Sequence, residues 1–199
     1  MSTVAIVDSG GANIASLLYA FERLDVAAEL TTDADLIRTA PRVVLPGVGA
    51  ARDAMQRLRD AHLVDVVRQL RQPVLGICLG MQLLCEASEE EDVECLGIIP
   101  GVARRLHVSE DLAVPNMGWC ATDPIRAHPV FAGLDKGAWF YFLHSYALPV
   151  ATETIATARH SEEFAAAIAQ DNFVAAQFHP ERSAQAGAKL LANFLRWQP

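Results

Sequence analysis

Short apolar runs alternate with amphipathic segments along the first half of the chain. The runs are rich in β-branched and aliphatic residues and predict buried strands at Thr3–Val7, Ala27–Leu30, Arg42–Leu45 and Pro73–Ile77. Between them, apolar residues at helical spacing predict helices over Ile14–Leu24, Asp33–Ala40 and Ala51–Leu70. Strands that alternate with helices form right-handed βαβ units, so the pattern predicts a parallel sheet covered on both faces.

The second half of the chain has shorter apolar runs. They predict strands near Val102–Leu106, Trp139–Ser145, Thr154–Arg159, Phe164–Ala169 and Val174–Phe178, several of them antiparallel. The acidic segment Glu86–Glu94 is typical of a solvated loop, and Ser183 is a candidate cap for a final helix that ends at Arg196. No repeat or linker divides the sequence. We therefore expect one α/β domain over residues 1–199, with a mostly parallel twisted sheet, helices on both faces and an antiparallel portion in the C-terminal half.

Composition and charge narrow the classes of function. The net charge is −8 and the isoelectric point is about 5.2, which argues against nucleic-acid or anionic-membrane binding, since both need basic surfaces. No apolar run reaches the roughly 18 residues of a membrane span, and the opening MSTVAIVDSGG lacks the basic region of a signal peptide. The four cysteines form no C-x-x-C pair and no Cys/His pattern with metal spacing. We therefore expect a cytoplasmic protein with reduced thiols.

One of these cysteines lies where a predicted strand ends and a helix begins. The segment Gly76-Ile77-Cys78-Leu79-Gly80 has the G-x-C-x-G form of a nucleophile elbow, with sulfur in place of serine. Such a turn raises the side chain above the carboxyl ends of the parallel strands, and the helix N-terminus stabilises a thiolate. A cysteine in an apolar run is also a common small core residue. Cys78 is thus either a core residue or a nucleophile. The other three cysteines are expected at core or loop positions, namely Cys85, Cys95 and Cys120.

A thiol nucleophile requires a base and a group that orients the base. His179 ends the apolar strand FVAAQF and is followed by Pro180 and Glu181. In an extended backbone residues i and i+2 point the same way, and the proline keeps His179 out of the helical region. A carboxylate beside a histidine fixes its tautomer and stabilises the imidazolium. Alone this tripeptide is also consistent with a simple turn at a strand end, but together with Cys78 it predicts a Cys-His-Glu triad.

Two glycines in four residues follow the strand RVVL, in the turn Pro46-Gly47-Val48-Gly49. They permit backbone amides to point into a site, as an oxyanion hole requires. The same turn is compatible with an ordinary connection between a strand and a helix. The pattern by itself leaves both interpretations open.

Together these three motifs resemble a known family. GICLGMQ, PGVG and QFHPE are signatures of the class I, triad-type glutamine amidotransferases. Within that family the chain resembles the glutaminase subunits of imidazole glycerol phosphate synthase over nearly its whole length, through DSGGAN, PNMGW, FYFLHSY, DNF and QFHPERS. Met81 favours this branch, because many amidotransferases of the anthranilate, GMP and carbamoyl phosphate classes carry histidine after the CLG glycine. A CTP synthase also carries methionine there, but 199 residues leave no room for its extra domain.

The resemblance implies a role for each matching position. Cys78 would attack the carboxamide of glutamine to form a γ-glutamyl thioester, His179 would transfer the protons, and Glu181 would orient His179. The backbone amides of Val48 and Leu79 would stabilise the oxyanion. The residues that match positions holding the glutamine head group are Gly49, Gln82, Glu90, Ser145 and Tyr146, with His144 as a positioning residue beside the last two. The resemblance implies no cofactor and no metal.

The resemblance also implies a partner. In the family the glutaminase docks as a heterodimer on a cyclase with the (β/α)8 barrel fold, and ammonia travels through this barrel. There it is used to make imidazole glycerol phosphate and aminoimidazole carboxamide ribotide in histidine biosynthesis. The residues in blocks that face this cyclase subunit in relatives are Asn13, Met117, Trp119 and Arg182. The chain departs from the common family pattern at Ser9–Ala12, Cys120 and Arg182, and these departures leave the details of the partner contact open.

Three other interpretations remain open from the sequence. The chain could serve another class I amidotransferase, such as the anthranilate or aminodeoxychorismate type, although Met81 and PGVG argue against it. It could be a non-catalytic binding module, which would ordinarily have lost a triad member. It could also be a stand-alone cysteine hydrolase, which would be active without a partner. Glutamate release measured with and without the cyclase separates the stand-alone hydrolase from the synthase subunit.

Overall fold

Strands and helices alternate through the N-terminal half and give way to antiparallel strands in the C-terminal half. The computed structural model describes residues 3–10, 14–108 and 112–199. The strands are β1 (Thr3–Val7), β2 (Ala27–Thr31), β3 (Arg42–Gly47), β4 (Val74–Cys78), β5 (Ala87–Ser88), β6 (Val93–Glu94), β7 (Val102–Arg105), β8 (Asn116–Pro124), β9 (Ala138–His144), β10 (Tyr146–Ala147), β11 (Thr154–Arg159), β12 (Glu163–Gln170) and β13 (Phe173–Ala176). The helices are α1 (Ile14–Glu22), α2 (Ala34–Thr39), α3 (Ala51–Asp60), α4 (Val64–Arg68), α5 (Leu79–Leu84) and α6 (Ala184–Arg196), with 3₁₀ turns at Pro129–Phe131 and Pro180–Arg182. None of these helices is long and apolar enough to cross a membrane.

The largest sheet among the described residues has nine strands in the order β2-β1-β3-β4-β13-β12-β11-β8-β9. Neighbouring strands from β2 to β13 run parallel, and those from β13 to β9 run antiparallel. A smaller sheet has the order β10-β7-β5-β6. This mixed sheet with its helices confirms the predicted fold class, including the antiparallel portion in the C-terminal half.

Apolar side chains cover both faces of the parallel strands. β4 is buried along its whole length: Val74 belongs to the same core cluster as Met55 of α3, and Leu75 belongs to the same cluster as Phe21 of α1. A strand that is buried on both faces is apolar at every position, which is why a continuous run predicted it. The carboxyl end of β4, where Cys78 lies, therefore emerges from the centre of the sheet.

The prediction of one helix over Ala51–Leu70 is wrong. α3 ends at Asp60 and α4 begins at Val64, because His62 adopts a left-handed φ of 56°. The turn is closed by a 2.8 Å hydrogen bond from the amide of Leu63 to the carbonyl oxygen of Leu58. Leu63 is fully buried at this turn. Core packing at one position thus overrides a helical periodicity that is continuous in the sequence.

Two other regions differ from the sequence prediction. β8 was not predicted, because its nine residues NMGWCATDP mix polar, small and apolar types without a buried apolar face. The structure pairs β8 with β9 residue by residue, from Asn116 opposite His144 to Thr122 opposite Ala138. The acidic segment Glu86–Glu94 is also not wholly a solvated loop, since it contains β5 and β6.

Candidate active site

Cys78 lies at a sharp turn between β4 and α5. Its backbone has φ 52° and ψ −112°, a conformation that costs a non-glycine residue about 1–3 kcal/mol and persists only where packing imposes it. Packing is tight here, because a Cβ on Gly80 would lie 1.8 Å from the carbonyl oxygen of Leu45. A Cβ on Gly76 of β4 would lie 2.9 Å from Cδ1 of Leu84 and 3.0 Å from the carbonyl oxygen of Gly80, both in α5. The strand and the helix thus approach as closely as the predicted elbow requires.

His179 reaches Cys78 from the neighbouring strand. β13 runs parallel to β4, with Ala176 opposite Ile77, so the chain leaves both strands at the same edge of the sheet. The side chains of Cys78 and His179 both line the same cavity and lie close enough to interact electrostatically. On the other side of the ring, Nδ1 of His179 lies 2.8 Å from Oε1 of Glu181. The structure therefore brings the three predicted triad residues together in the order thiol, imidazole, carboxylate.

The charge on His179 is set by two opposing effects. Burial disfavours the charged ring, whose side chain is 8 % exposed. Its hydrogen bond to Glu181 and its interactions with Cys78 and with the charge of Glu181 outweigh burial and raise the pKa of His179 to about 10. At neutral pH the ring is therefore an imidazolium. A neighbouring cation favours the thiolate form of a cysteine, which is the nucleophilic form.

Ser183 holds the backbone of His179 and does not cap the final helix. It occupies the N-cap position of α6, but its side chain makes no capping hydrogen bond, so the predicted cap is wrong. Its hydroxyl donates to the carbonyl oxygen of His179 at 2.6 Å and accepts from the amide of Tyr141 at 2.9 Å. The amide of His179 donates in turn to the carbonyl oxygen of Tyr141 at 2.9 Å. Three hydrogen bonds thus fix the backbone that carries the imidazole to the edge strand β9.

A cavity of about 470 Å³ lies against Cys78. It is lined by all the residues predicted for the triad, the oxyanion hole and substrate binding, namely Cys78, His179, Glu181, Val48, Leu79, Gly49, Gln82, Glu90, Ser145 and Tyr146. Arg182 of the predicted interface also lines it, whereas Met117 and Trp119 lie outside the cavity on the exposed face of β8. Asn13, the fourth predicted interface residue, lies outside the described residues.

Two turns that line the cavity together with Cys78 carry backbone amides. Leu79 is the first residue of α5, so its amide has no acceptor within the helix. Val48 follows β3 directly, and the last residue of β3, Gly47, lies opposite Cys78 in the sheet. Gly49 has a φ of 87°, which favours glycine. A helix N-terminus beside a glycine turn suits the stabilisation of negative charge on a bound ligand.

Glu90 brings a carboxylate to another part of the cavity wall. Its Oε2 accepts a 3.2 Å hydrogen bond from the amide of Ala51, the first residue of α3. The free amides and the positive dipole end of a helix N-terminus hold a carboxylate in place. Its neighbour Glu91 points elsewhere and pairs with Arg52 at 3.2 Å. Glu90 is thus the member of the acidic segment that reaches the site.

Comparison with known proteins decides the family. The family profile described as glutamine amidotransferase class-I matches residues 5–197. The chain belongs to this family. It is 50 % identical over 195 residues to the imidazole glycerol phosphate synthase subunit HisH of Xanthomonas axonopodis pv. citri, and the match covers 98 % of each chain. Its identity to the subunit of the same name from Xylella fastidiosa is 49 %, with the same coverage.

Solved structures share the fold at low sequence identity. A Thermoplasma acidophilum protein described as part of a GMP synthase has a TM-score of 0.76 at 18 % identity, over 98 % of this chain and 93 % of its own. A glutamine amidotransferase of Thermotoga maritima has a TM-score of 0.66 at 15 % identity, over 98 % and 82 %. At these identities the likeness concerns the fold alone.

Sequence reasoning missed one polar residue of this amidotransferase, Gln177, which is fully buried behind Cys78. Its Nε2 lies 3.8 Å from Sγ of Cys78, and its Oε1 accepts a 3.0 Å hydrogen bond from Nε2 of Gln82. A signal was present, because a glutamine interrupts the apolar strand FVAAQF two residues before His179. A buried polar side chain needs partners, and here the partners are site residues.

His144 of the amidotransferase stays neutral beside the site. Burial lowers its pKa to about 4, although its hydrogen bond with the carbonyl group of Tyr146 acts in the opposite direction. Its Nδ1 lies 2.9 Å from that carbonyl oxygen, and its Nε2 lies 3.1 Å from Nδ2 of Asn116. Because a carbonyl oxygen can only accept, Nδ1 carries the hydrogen and Nε2 accepts from Asn116. This geometry suits the positioning role expected for His144.

The other cysteines of the amidotransferase are poorly placed for chemistry. Burial raises the pKa of Cys95 to about 11 and raises the pKa values of Cys85 and Cys120 above their ordinary value. Cys85 and Cys95 are buried, Cys120 is half-buried, and none of the three lines the cavity. Cys78 is therefore the cysteine that combines access to the cavity with a nearby imidazolium.

Proposed function

We propose that this amidotransferase is the glutaminase subunit of an imidazole glycerol phosphate synthase. It hydrolyses glutamine to glutamate and ammonia with Cys78, His179 and Glu181, and it passes the ammonia to a cyclase subunit in histidine biosynthesis. The observation that carries the proposal is the convergence of these three side chains on one cavity, with Nδ1 of His179 2.8 Å from Oε1 of Glu181. The 50 % identity to a relative named as this subunit, over 98 % of both chains, supports the pathway. We place the protein in the cytoplasm, where free thiols stay reduced.

Acylation uses the thiolate and the imidazolium together. Sγ of Cys78 attacks the carboxamide carbon of glutamine, and the electron pair of the C=O bond moves onto oxygen to give a tetrahedral oxyanion. The amides of Val48 and Leu79 donate hydrogen bonds to this oxygen, and one such donor is worth about 10²–10³-fold in rate. The imidazolium of His179 donates its Nε2 proton to the departing nitrogen. The C–N bond breaks, ammonia leaves, and a γ-glutamyl thioester remains on Cys78.

Deacylation reverses the proton transfer. The neutral ring of His179 takes a proton from a water molecule whose oxygen attacks the thioester carbon. The second oxyanion collapses, the C–S bond breaks, and glutamate leaves while Cys78 returns as the thiolate. Glu181 stabilises the imidazolium at Nδ1 and keeps Nε2 directed at the sulfur. The balance is glutamine plus water to glutamate plus ammonia.

The cavity wall offers a hydrogen-bond acceptor and a negative charge to the head group of glutamine. Gln82 uses its Nε2 to donate to the carbonyl oxygen of Tyr146 and to Oε1 of Gln177, both at 3.0 Å. Its Oε1 is therefore the atom left to accept a hydrogen bond from the substrate. Glu90 offers the negative charge that suits an α-ammonium group. Gly49 and Ser145 complete this part of the cavity wall.

An exposed apolar face beside the cavity fits the cyclase partner. On β8 Met117 is 68 % exposed and Trp119 is 47 % exposed, and they lie opposite Leu143 and Tyr141 of β9. Cζ of Arg182 lies 4.2 Å from the centre of the Tyr141 ring, and Arg182 also lines the cavity. Exposed apolar patches of this kind mark protein–protein contacts. We propose that a cyclase subunit with the (β/α)8 fold docks here as a heterodimer, so that ammonia enters the partner and not the solvent.

Glutamate release by the purified chain, alone and with the cyclase subunit of a relative and its nucleotide substrate, tests this proposal. We expect weak turnover alone, a strong increase in the complex and loss of activity in Cys78→Ala. Cys120→Ala is the matched control, because Cys120 does not line the cavity. Equal rates with and without the partner would indicate a stand-alone hydrolase, and retained activity in Cys78→Ala would overturn the triad.

A further inference from the structure

The orientation of the Gln177 amide follows from hydrogen bonds that start at a backbone carbonyl. The carbonyl oxygen of Tyr146 lies 3.0 Å from the amide of Gln82 and can only accept, so Gln82 must turn its Nε2 toward it. The same Nε2 lies 3.0 Å from the Gln177 amide, so Gln177 must turn its Oε1 toward Gln82. That leaves Nε2 of Gln177 facing Sγ of Cys78 at 3.8 Å. The group presented to the sulfur is therefore a hydrogen-bond donor.

Burial makes this orientation difficult to change. Gln82 is 3 % exposed and Gln177 is 0 % exposed, so water cannot replace a lost partner. The carbonyl oxygen of Tyr146 is also held by Nδ1 of His144 at 2.9 Å, and Nε2 of His144 is held by Asn116 at 3.1 Å. If either glutamine amide were rotated by 180°, two acceptors or two donors would face each other in a buried place that water cannot reach. The donor that faces Cys78 is thus specified by its neighbours.

The sulfur has a different partner for each protonation state. The carbonyl oxygen of Leu143 lies 3.7 Å from Sγ and accepts a hydrogen bond from the thiol. A thiolate can only accept, and the donor groups near the sulfur are Nε2 of Gln177 and the ring of His179. The other titratable or charged groups that line the same cavity are Glu181, which lies behind His179, the neutral His144 of β9, and Glu90, Tyr146 and Arg182. Among the described side chains, Gln177 is the one whose amide donates to the sulfur.

We propose that Gln177 is a positioning residue that stabilises the thiolate of Cys78 through its Nε2–H, in an orientation fixed by Gln82 and Tyr146. This role rests on the proposed function, because there the thiolate of Cys78 attacks glutamine. The hydrogen bonds that orient Gln177 lie within the protein and do not require the substrate. Gln82 then has two roles: its Oε1 accepts a hydrogen bond from the substrate, and its Nε2 orients the amide of Gln177 behind Cys78.

The pH dependence of Cys78 alkylation by iodoacetamide, followed by peptide mass spectrometry on the full chain, reports the thiolate directly. In Gln177→Met, which keeps a side chain of similar length without the donor, we expect the pH profile to move up by about one unit, so that the rate at pH values well below the midpoint falls about tenfold. In Gln177→Glu, where a carboxylate replaces the donor, we expect a larger shift in the same direction. Gln170→Glu is the matched control, because its amide donates to the carbonyl oxygen of Ile98 at 3.2 Å and lies outside the cavity.

The outcomes separate this proposal from a structural role and from the proposed function. Loss of a structural glutamine lowers the melting temperature without moving the alkylation profile, so an unchanged profile in either folded variant overturns the proposal. A shift in Gln177→Glu with none in Gln177→Met also overturns it, because an added charge would then explain the effect. Glutaminase activity with the cyclase is measured separately. If the variants shift the profile but the unaltered protein releases no glutamate, the proposed function fails and the positioning role stands.

Discussion

Oγ of Ser183 donates a 2.6 Å hydrogen bond to the carbonyl oxygen of His179 and thereby ties the proposed catalytic base to the edge of the sheet. The same hydroxyl accepts from the amide of Tyr141 at 2.9 Å. Cζ of the Arg182 guanidinium lies 4.2 Å from the centre of the Tyr141 ring. The base and the exposed face proposed for the partner therefore share one residue, Tyr141.

Ser183→Ala removes both of these hydrogen bonds. We expect the free energy of unfolding to fall by about 1–3 kcal/mol, because the amide of Tyr141 and the carbonyl group of His179 lose a buried partner. We expect kcat for glutamate release to fall about tenfold as His179 loses its fixed position, with a smaller change in KM. Ser161→Ala is the control, since its buried hydroxyl finds no hydrogen-bond partner among the described residues. Unchanged kcat in Ser183→Ala would show that the contact only stabilises the fold.

The pKa of His179 predicts how stability depends on alkaline pH. The folded pKa is about 10 and the ordinary value is 6.5, so folding retains a proton that the unfolded chain releases between these values. The contribution of His179 is fully present below about pH 6.5 and is lost as the pH rises toward 10. In Glu181→Gln the lost carboxylate lowers the folded pKa, so urea unfolding should show a smaller loss of stability between pH 7 and pH 9.5. Exposed Glu163→Gln should keep the original dependence, and an identical dependence in Glu181→Gln would contradict the assignment.

The lowered pKa of His144 predicts that stability is lost as the pH falls, opposite to the effect of His179. Its folded pKa is about 4 against an ordinary 6.5, so the unfolded chain takes up a proton that the folded protein resists. Its contribution is present above about pH 6.5 and is lost as the pH falls toward 4. His144→Gln should be less stable at pH 7 but should lose less stability between pH 6.5 and pH 4.5, as measured by urea unfolding. His62→Asn is the control, because His62 is exposed at φ 56°, a conformation that asparagine tolerates.

The close approach of α5 to β3 predicts a large effect of a single methyl group. In Gly80→Ala the new Cβ would lie 1.8 Å from the carbonyl oxygen of Leu45, so strand and helix must separate. We expect a loss of about 3 kcal/mol or more in the free energy of unfolding, measured in urea. Gly137→Ala is the control, since no atom lies within 4 Å of its Cβ position and only the φ of 76° is unfavourable. That substitution should cost about 1–2 kcal/mol, and equal losses in the two variants would refute the steric argument.

The exposed face of β8 predicts where the cyclase binds. Trp119→Asp should raise the Kd for the cyclase about thirtyfold or more, because a buried aromatic anchor at an interface is typically worth at least 2 kcal/mol. Ile125→Asp introduces the same charge at a residue that is 54 % exposed just beyond the other end of β8, and it should leave the Kd nearly unchanged. Isothermal titration calorimetry compares the two variants. Equal effects would place the interface elsewhere.

The sequence by itself determined the features that depend on neighbours along the chain. β4 is buried on both faces, so each of its positions is apolar and a continuous run identifies it. The elbow at Cys78 needs small residues two positions away on either side, and the pairing of His179 with Glu181 needs only an extended backbone across Pro180. Each of these patterns spans a few residues. They were therefore visible before any fold was known.

The tertiary structure decided the features that depend on partners far apart in the sequence. The break at His62 appears because Leu63 has a place in the core, and Ser183 leaves its capping role because Tyr141 and His179 lie within reach of its hydroxyl. Gln177 meets Cys78 across 99 positions of the chain. A buried polar group forms hydrogen bonds with groups that the fold places near it, and the periodicity of the sequence does not identify those groups.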